Sequence, residues 1–284
     1  SEFESIAAAL HQAPGGFYEQ GVPQRLRQER NAAGADRAAW LSLTYDLVNR
    51  HLQEGDTDAA LTEVNALFDA LDESPEYLQR EPRFHLLRAL VHLRRAEVEN
   101  CVKRHNAQCC LFPLAGGGVH AERGPASEAR AAYLAYLQQR PGDLRARWLL
   151  NLTCMALGEY PDGVPEQFRI PADAYDSPND IGRFNDIAPQ LGLDTFDLCG
   201  GSVVDDFDGD GRLDVVTTTI DPMGPMTYHR NNGDGTFDDR AAASGLDQQR
   251  GGLNLIAADY DNDGDLDLFV TRGAWMFDEG RIRN

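Results

Sequence analysis

Two short stretches carry the residues best able to do chemistry. Asp206, Asp208, Asp210 and Asp214 fall within D-F-D-G-D-G-R-L-D, and Asp259, Asp261, Asp263, Asp265 and Asp267 within D-Y-D-N-D-G-D-L-D. Carboxylates at alternate positions of a tight loop converge on one point. With a backbone carbonyl at the seventh residue and a carboxylate at the ninth, they make an oxygen cage for a hard cation, calcium above all. The expected ligands are therefore Asp206, Asp208, Asp210, Arg212 through its carbonyl, and Asp214, and in the second loop Asp259, Asp261, Asp263, Asp265 through its carbonyl, and Asp267. That makes about two calcium ions for the chain. An ordinary Asp-Gly turn needs one or two acids. So many like charges at close range repel strongly without a counterion. The loops are not EF-hands, because the twelfth position, where a bidentate Glu belongs, is Thr217 in one copy and Val270 in the other.

The elements that must hold these loops are strands. The segments directly after the loops, L-D-V-V-T-T-T at 213–219 and L-D-L-F-V-T at 266–271, are β-branched and apolar. Asp206 and Asp259 stand 53 residues apart, and the same offset carries Phe184 onto Phe237, Asp186 onto Asp239, Ala188 onto Ala241, Leu193 onto Leu246 and Val203 onto Ile256. A period near fifty residues with several short strands per unit indicates propeller blades or a related β array. N-N-G-D-G-T-F at 231–237, the two acidic loops and G-G-L-N-L-I-A-A-D-Y-D-N-D-G-D-L-D-L at 251–268 resemble the FG-GAP/VCBS-type repeat, in particular that of the bacterial relatives of the ASPIC/UnbV and cartilage-acidic-protein group. The resemblance covers about residues 182–284 and implies a calcium-dependent β-propeller exported from the cytoplasm. Two repeats cannot close a propeller. A fragment of a longer protein is expected, since an unpaired blade edge exposes a sticky strand; completion by another chain is the alternative.

Residues 36–160 have a different texture, rich in Ala, Leu, Arg and Glu. Leu43, Leu47, Val48 and Leu52 share one helical face, Gly55 and Asp56 break it, and Ala60, Val64, Leu67, Phe68 and Leu71 resume it. A second hairpin starts at Arg83 and returns at 127–139, and a third helix follows Pro141-Gly142-Asp143. The stretch at 133–152, with Pro141 in the turn and Ala146 beyond it, resembles a tetratricopeptide junction, which implies a helical solenoid with a concave binding surface. The expected fold is thus multidomain α and β: an N-terminal extension (1–35), a tetratricopeptide-like helical solenoid (36–160), a Pro-rich connector (161–181) and part of a β-propeller of FG-GAP/VCBS repeats (182–284).

Where the second hairpin needs only a turn, residues 100–126 insert N-C-V-K-R-H-N-A-Q-C-C-L-F-P-L-A-G-G-G-V-H-A-E-R-G-P-A. Cys and apolar residues at this density favour burial over disorder. Three readings stay open. Cys101 bridges Cys109 or Cys110 and pins a structural loop; or His105 and His120, with His85 or His92, hold copper or zinc; or a thiol is reactive. The insertion also resembles a stretch of bacterial proteins that join tetratricopeptide-like helices to ASPIC/UnbV-type repeats.

Lys and Arg number 26 against 46 Asp and Glu, a net charge of −20, which repels nucleic acid phosphates and anionic lipid. No apolar run reaches membrane-spanning length, and no signal peptide is visible at Ser1. Calcium loops of ordinary affinity fill where calcium is plentiful, in the periplasm or outside the cell. No G-x-S-x-G, H-E-x-x-H or phosphate-binding glycine loop is present. The expectation is an exported calcium-binding protein that recognises a protein or glycan, since no catalytic constellation is compelling. The alternatives are a copper or zinc metalloenzyme sited in the insertion, or a subunit of a larger surface assembly.

Overall fold

A computed structural model describes residues 2–12, 19–72, 75–106, 108–109, 112–176, 179, 182, 184, 186–195 and 197–272. The chain divides into two compact units, one of residues 21–186 and one of residues 1–20 with 187–284. The first is helical. It contains α2 (Val22–Ala32), α3 (Arg37–Gln53), α4 (Thr57–Asp72), α5 (Pro75–Arg80), α6 (Arg83–Glu97), α7 (Gly124–Gln139) and α8 (Leu144–Ala156); α1 (Glu2–Gln12) belongs to the other unit. Three helices start where a short acid can accept an otherwise unpaired N–H: Asp36 from Ala39 (3.0 Å), Asp56 from Ala59 (2.9 Å) and Asp143 from Ala146 (3.0 Å). The break at Gly55-Asp56 and the turn at Pro141-Gly142-Asp143 fall between helices as the sequence indicates.

Helix α6 is central. Its Phe84, Leu87 and Val91 join Leu41, Val48, Val64, Leu67 and Leu71 of α3 and α4 in one apolar cluster. Its Ala89 and Leu93 join Ala129, Tyr133 and Leu137 of α7 and Leu150 of α8 in another. Small residues on α7, Ala126, Ala129 and Ala132, are buried and let that helix approach closely. The stretch 22–32, which the sequence leaves in an extension, is a helix that buries Val22 and Leu26 on Leu47 of α3. Beside them Glu63 accepts from Arg27 (3.3 Å) and Arg30 (2.5 Å), and Arg27 reaches His51 Nε2 at 3.0 Å.

The connector does more than span. Val164 and Phe168 are buried in the α6–α8 cluster. Asn151 of α8 donates to Phe168 O (2.8 Å) and accepts from Ile170 N (3.0 Å), and Arg147 donates to Phe168 O (3.0 Å). Residues 168–170 are therefore fastened to α8 by their own backbone groups.

In the other unit, β1 (Cys199–Asp205), β2 (Asp214–Thr219), β3 (Thr227–Asn231) and β4 (Phe237–Asp239) form an antiparallel meander in that order, and β5 (Asn254–Ala258) pairs with β6 (Asp267–Thr271). Asp205 lies opposite Asp214, and Ala258 opposite Asp267, so each acidic loop closes a hairpin. Val216, Met226, Leu255 and Val270 form the small core, with Val203, Phe207 and Tyr228 against it. At Gly201 an added Cβ would stand 2.6 Å from Leu255 N, so glycine is what lets β1 and β5 come together.

Two measurements test this packing. Tyr133 is fully buried and its hydroxyl has no partner among the described residues, whereas the Tyr136 hydroxyl donates to Asp143 at 2.7 Å. In urea titrations Tyr133→Phe should be neutral or stabilising, and Tyr136→Phe should cost about 1 kcal/mol. The reverse order would mean the two hydroxyls are misplaced. Burial, seconded by Arg27 at His51 and Arg88 at the other two, holds the imidazoles of His51, His85 and His92 below the ordinary 6.5. Below pH 6.5 the unfolded chain binds protons that the folded chain does not, so the stability these groups confer is present above that pH and lost as pH falls. Melting temperature should drop between about pH 7.5 and about pH 5.5; equal values would show that these imidazoles titrate freely.

Candidate metal centres

Both acidic loops fold in the same way. Asp206 accepts the N–H of Asp210 (3.0 Å) and of Gly211 (2.8 Å), and Asp259 accepts those of Asp263 (3.1 Å) and Gly264 (3.1 Å). Asp208 and Asp261 each cap the same N–H two residues on, at 3.3 and 3.2 Å, and Asp210 and Asp263 accept from Arg212 and Asp265 at 3.0 and 2.9 Å. A chain that wraps so tightly needs left-handed backbone. Gly209 takes φ +71°, and its counterpart is Asn262 at φ +60°, the non-glycine type that best tolerates this region.

The loops gather carboxylate oxygens. Asp206, Asp208 and Asp210 each offer an oxygen within 4.8 Å of the others, and so do Asp259, Asp261 and Asp267. These two groups could hold a metal ion. The donors are all hard oxygens with no nitrogen or sulfur, which suits calcium or magnesium and not copper or zinc. The residues thus fit calcium, whose charge would offset the repulsion between the carboxylates it draws together.

The ninth position separates the copies. Asp267 stands in its cluster, exposed, and accepts from Tyr260 N at 2.9 Å. Asp214 is fully buried and turned to β3, where it accepts from Asn231 N (2.8 Å) and from the Tyr228 hydroxyl (2.9 Å). Burial and this bond push the Tyr228 phenol well above its ordinary range. Asp263 likewise falls outside the second cluster.

Sequence reasoning missed the counter-cation. Arg230 on β3 forks onto Asp208 and Asp210, 2.6 Å from the latter, and Arg212 also pairs with Asp210. The hydrogen bond from Arg230 holds the Asp208 carboxyl below the usual range and raises the Arg230 guanidinium. The repeat offset offered the signal, since it carries Arg230-Asn231 onto Arg283-Asn284; the second pair lies outside the described residues.

The insertion does not bring its histidines into one centre. His105, part-exposed, pairs through Nε2 with Asp186 Oδ2 at 2.8 Å. His120 is buried, with Nε2 3.8 Å from Cys101 Sγ. Among the described residues, groups of three clustered ligands occur only in the two Asp loops. Nor are Cys101 and Cys109 bridged to one another: Cys109 Sγ accepts from Asn106 Nδ2 at 3.1 Å, and the asparagine holds it on the loop side. Cys110, the other expected partner, lies outside the described residues. His85 and His92 sit within α6, His85 against the Phe68 ring.

Compared with known proteins, residues 206–270 match the FG-GAP-like repeat family. That span holds both acidic loops. No curated protein and no solved structure matches the chain significantly. Among the described residues no helix is long and apolar enough to cross a membrane.

The Arg230 fork yields a direct test. Arg230→Gln removes the main cause of the low Asp208 pKa, so in carbon-detected titrations the Asp208 carboxyl should protonate at a higher pH than in the unsubstituted protein. An unmoved titration would show that the pair does not persist in solution.

Proposed function

We propose that this protein is an exported, calcium-binding interaction protein that recognises a protein or a glycan. The observation that carries this reading is the pair of all-carboxylate clusters, built by the same backbone pattern at matching places in an FG-GAP-like repeat. Calcium is structural here. It would be held by Asp206, Asp208 and Asp210 in the first loop and by Asp259, Asp261 and Asp267 in the second, and it supplies positive charge that ties the hairpin ends. Arg230 contributes part of that charge in its absence, so the first loop exchanges one counter-cation for another.

The finer architecture belongs to the same proposal. The repeats are blades of a β-propeller like those of the ASPIC/UnbV group, and the helical hairpins form a tetratricopeptide-like solenoid. The pairs α3–α4 and α6–α7, each packed together across a short break or an insertion, support the second statement. The meander β1–β4 supports the first. Surfaces for a partner are present in both units. Ile256 and Phe269, opposite one another on β5 and β6, are 58% and 53% exposed. Phe112, Trp148 and Tyr175 form a run of ring contacts at 5.8 and 5.7 Å in the helical unit. The periplasm or cell exterior is the location that agrees with calcium supply, and membership of a larger surface assembly is compatible with it.

Elemental analysis of the purified protein should find about two calcium ions per chain. The double substitution Asp208→Asn with Asp261→Asn should lower the melting temperature in calcium far more than in chelator. Equal losses in both buffers, or a calcium content near zero after equilibration with the ion, would overturn the calcium assignment.

A further inference from the structure

The helical unit contains a cavity that calcium binding leaves unused. It measures about 310 Å³ and lies where α6 runs on into a π-helical turn (Val98–Val102), between that helix, α8 and the insertion. Leu93, Cys101, Cys109, Leu114 and Leu152 give it walls of carbon and sulfur. At its edge Arg94 and Glu97 pair with each other, so the rim adds no net charge.

His120 is the polar exception. The residue is 5% exposed; Nε2 faces Cys101 Sγ at 3.8 Å, and Nδ1 is buried with no hydrogen-bond partner among the described residues. Burial keeps this imidazole below its ordinary pKa, hence neutral near pH 7. A buried polar atom left unpaired in a native fold calls for an explanation, and a ligand is one.

The walls are built and not left over. Buried Asn100 in the π-helical turn donates to Ala96 O (2.9 Å) and Glu122 O (3.1 Å) and accepts from Glu122 N (2.9 Å), which fixes the end of the insertion beside its start. Asn106 donates to Gly117 O (2.9 Å), and Gln108 Oε1 accepts from Gly117 N (2.5 Å). A Cβ on Gly118 would stand 2.5 Å from Gln108 O, so only glycine permits that approach. π-helical turns inside α-helices recur at functional sites.

We propose that this cavity binds a neutral aromatic alcohol of one or two rings, with the ring among the thiols and leucines and the hydroxyl on His120. The volume is about twice that of a cavity of about 150 Å³ that admits benzene. Sulfur packs favourably on aromatic rings. A hydroxyl both donates and accepts, so it satisfies either tautomer of the orphan imidazole. A charged ligand would meet no counter-charge within these walls. A transition metal is disfavoured, because Cys101, Cys109 and His120 do not converge as a group of three ligands.

The test is calorimetry and leucine-methyl NMR with 2-naphthol on the whole chain. One molecule should bind per chain, with shifts concentrated at Leu93, Leu114 and Leu152. Naphthalene and naphthalene-2-sulfonate should each bind at least about tenfold more weakly, the first lacking the hydroxyl and the second carrying charge. Leu152→Trp, which fills the cavity from a half-buried position, should weaken 2-naphthol by at least about tenfold with its circular dichroism unchanged. Absence of binding at about 1 mM, shifts centred elsewhere, or equal affinity for naphthalene would each overturn the proposal. The NMR map on the unsubstituted protein decides the matter even if Leu152→Trp fails to fold.

Discussion

Mutual repulsion among carboxylates is the constraint around which the repeat unit is arranged. Asp206, Asp208 and Asp210 cannot be brought within a few ångströms of one another unless something positive or hydrogen-bonding answers each oxygen. The chain supplies these groups itself, the Arg212 side chain on Asp210 among them. The loop turns its own N–H groups inward, those of Asp210 and Gly211 to Asp206, and β3 delivers the guanidinium of Arg230. Both depend on backbone that reverses sharply, which is why Gly209 and Asn262 occupy left-handed positions. The positions of the hairpins β1–β2 and β5–β6 are then set by where the loops close.

Much of this was legible in the sequence, because charge and period are local signals. The D-x-D-x-D-G-x-L-D pattern named every residue of the two clusters, together with Asp214 and Asp263, which stand outside them, and the β-branched runs after it named β2 and β6. What stayed hidden was non-local. Asp214 matches Asp267 in sequence, yet one is buried against Tyr228 and the other is exposed in its cluster; the difference lies in a third strand that pairs with β2. Arg230 was overlooked for the same reason, since it sits far from the loop it answers.

The helical unit shows the same division. Periodicity placed α3, α4, α6, α7 and α8 and their breaks, and the caps at Asp36, Asp56 and Asp143 reflect single residue types. Composition could not say that Val22 and Leu26 would pack on Leu47, or that Phe168 would be drawn under α8 by Asn151. In the insertion, residue types suggested a metal or a disulfide. The hydrogen bonds of Asn106 and Gln108 instead give the loop its own internal frame, with His105 and His120 placed by different neighbours.

Helix α6 contributes to the two largest apolar clusters of its unit, Phe84, Leu87 and Val91 to one and Ala89 and Leu93 to the other. Stacked helical pairs usually come apart pair by pair, because each touches only the next. Here alternate positions of a single helix serve two cores, so undocking α7 and α8 strips one face of α6 and undocking α3 and α4 strips the other. Helix α6 is accordingly released only when both cores have opened, and a protease that needs a locally opened helix reaches it last.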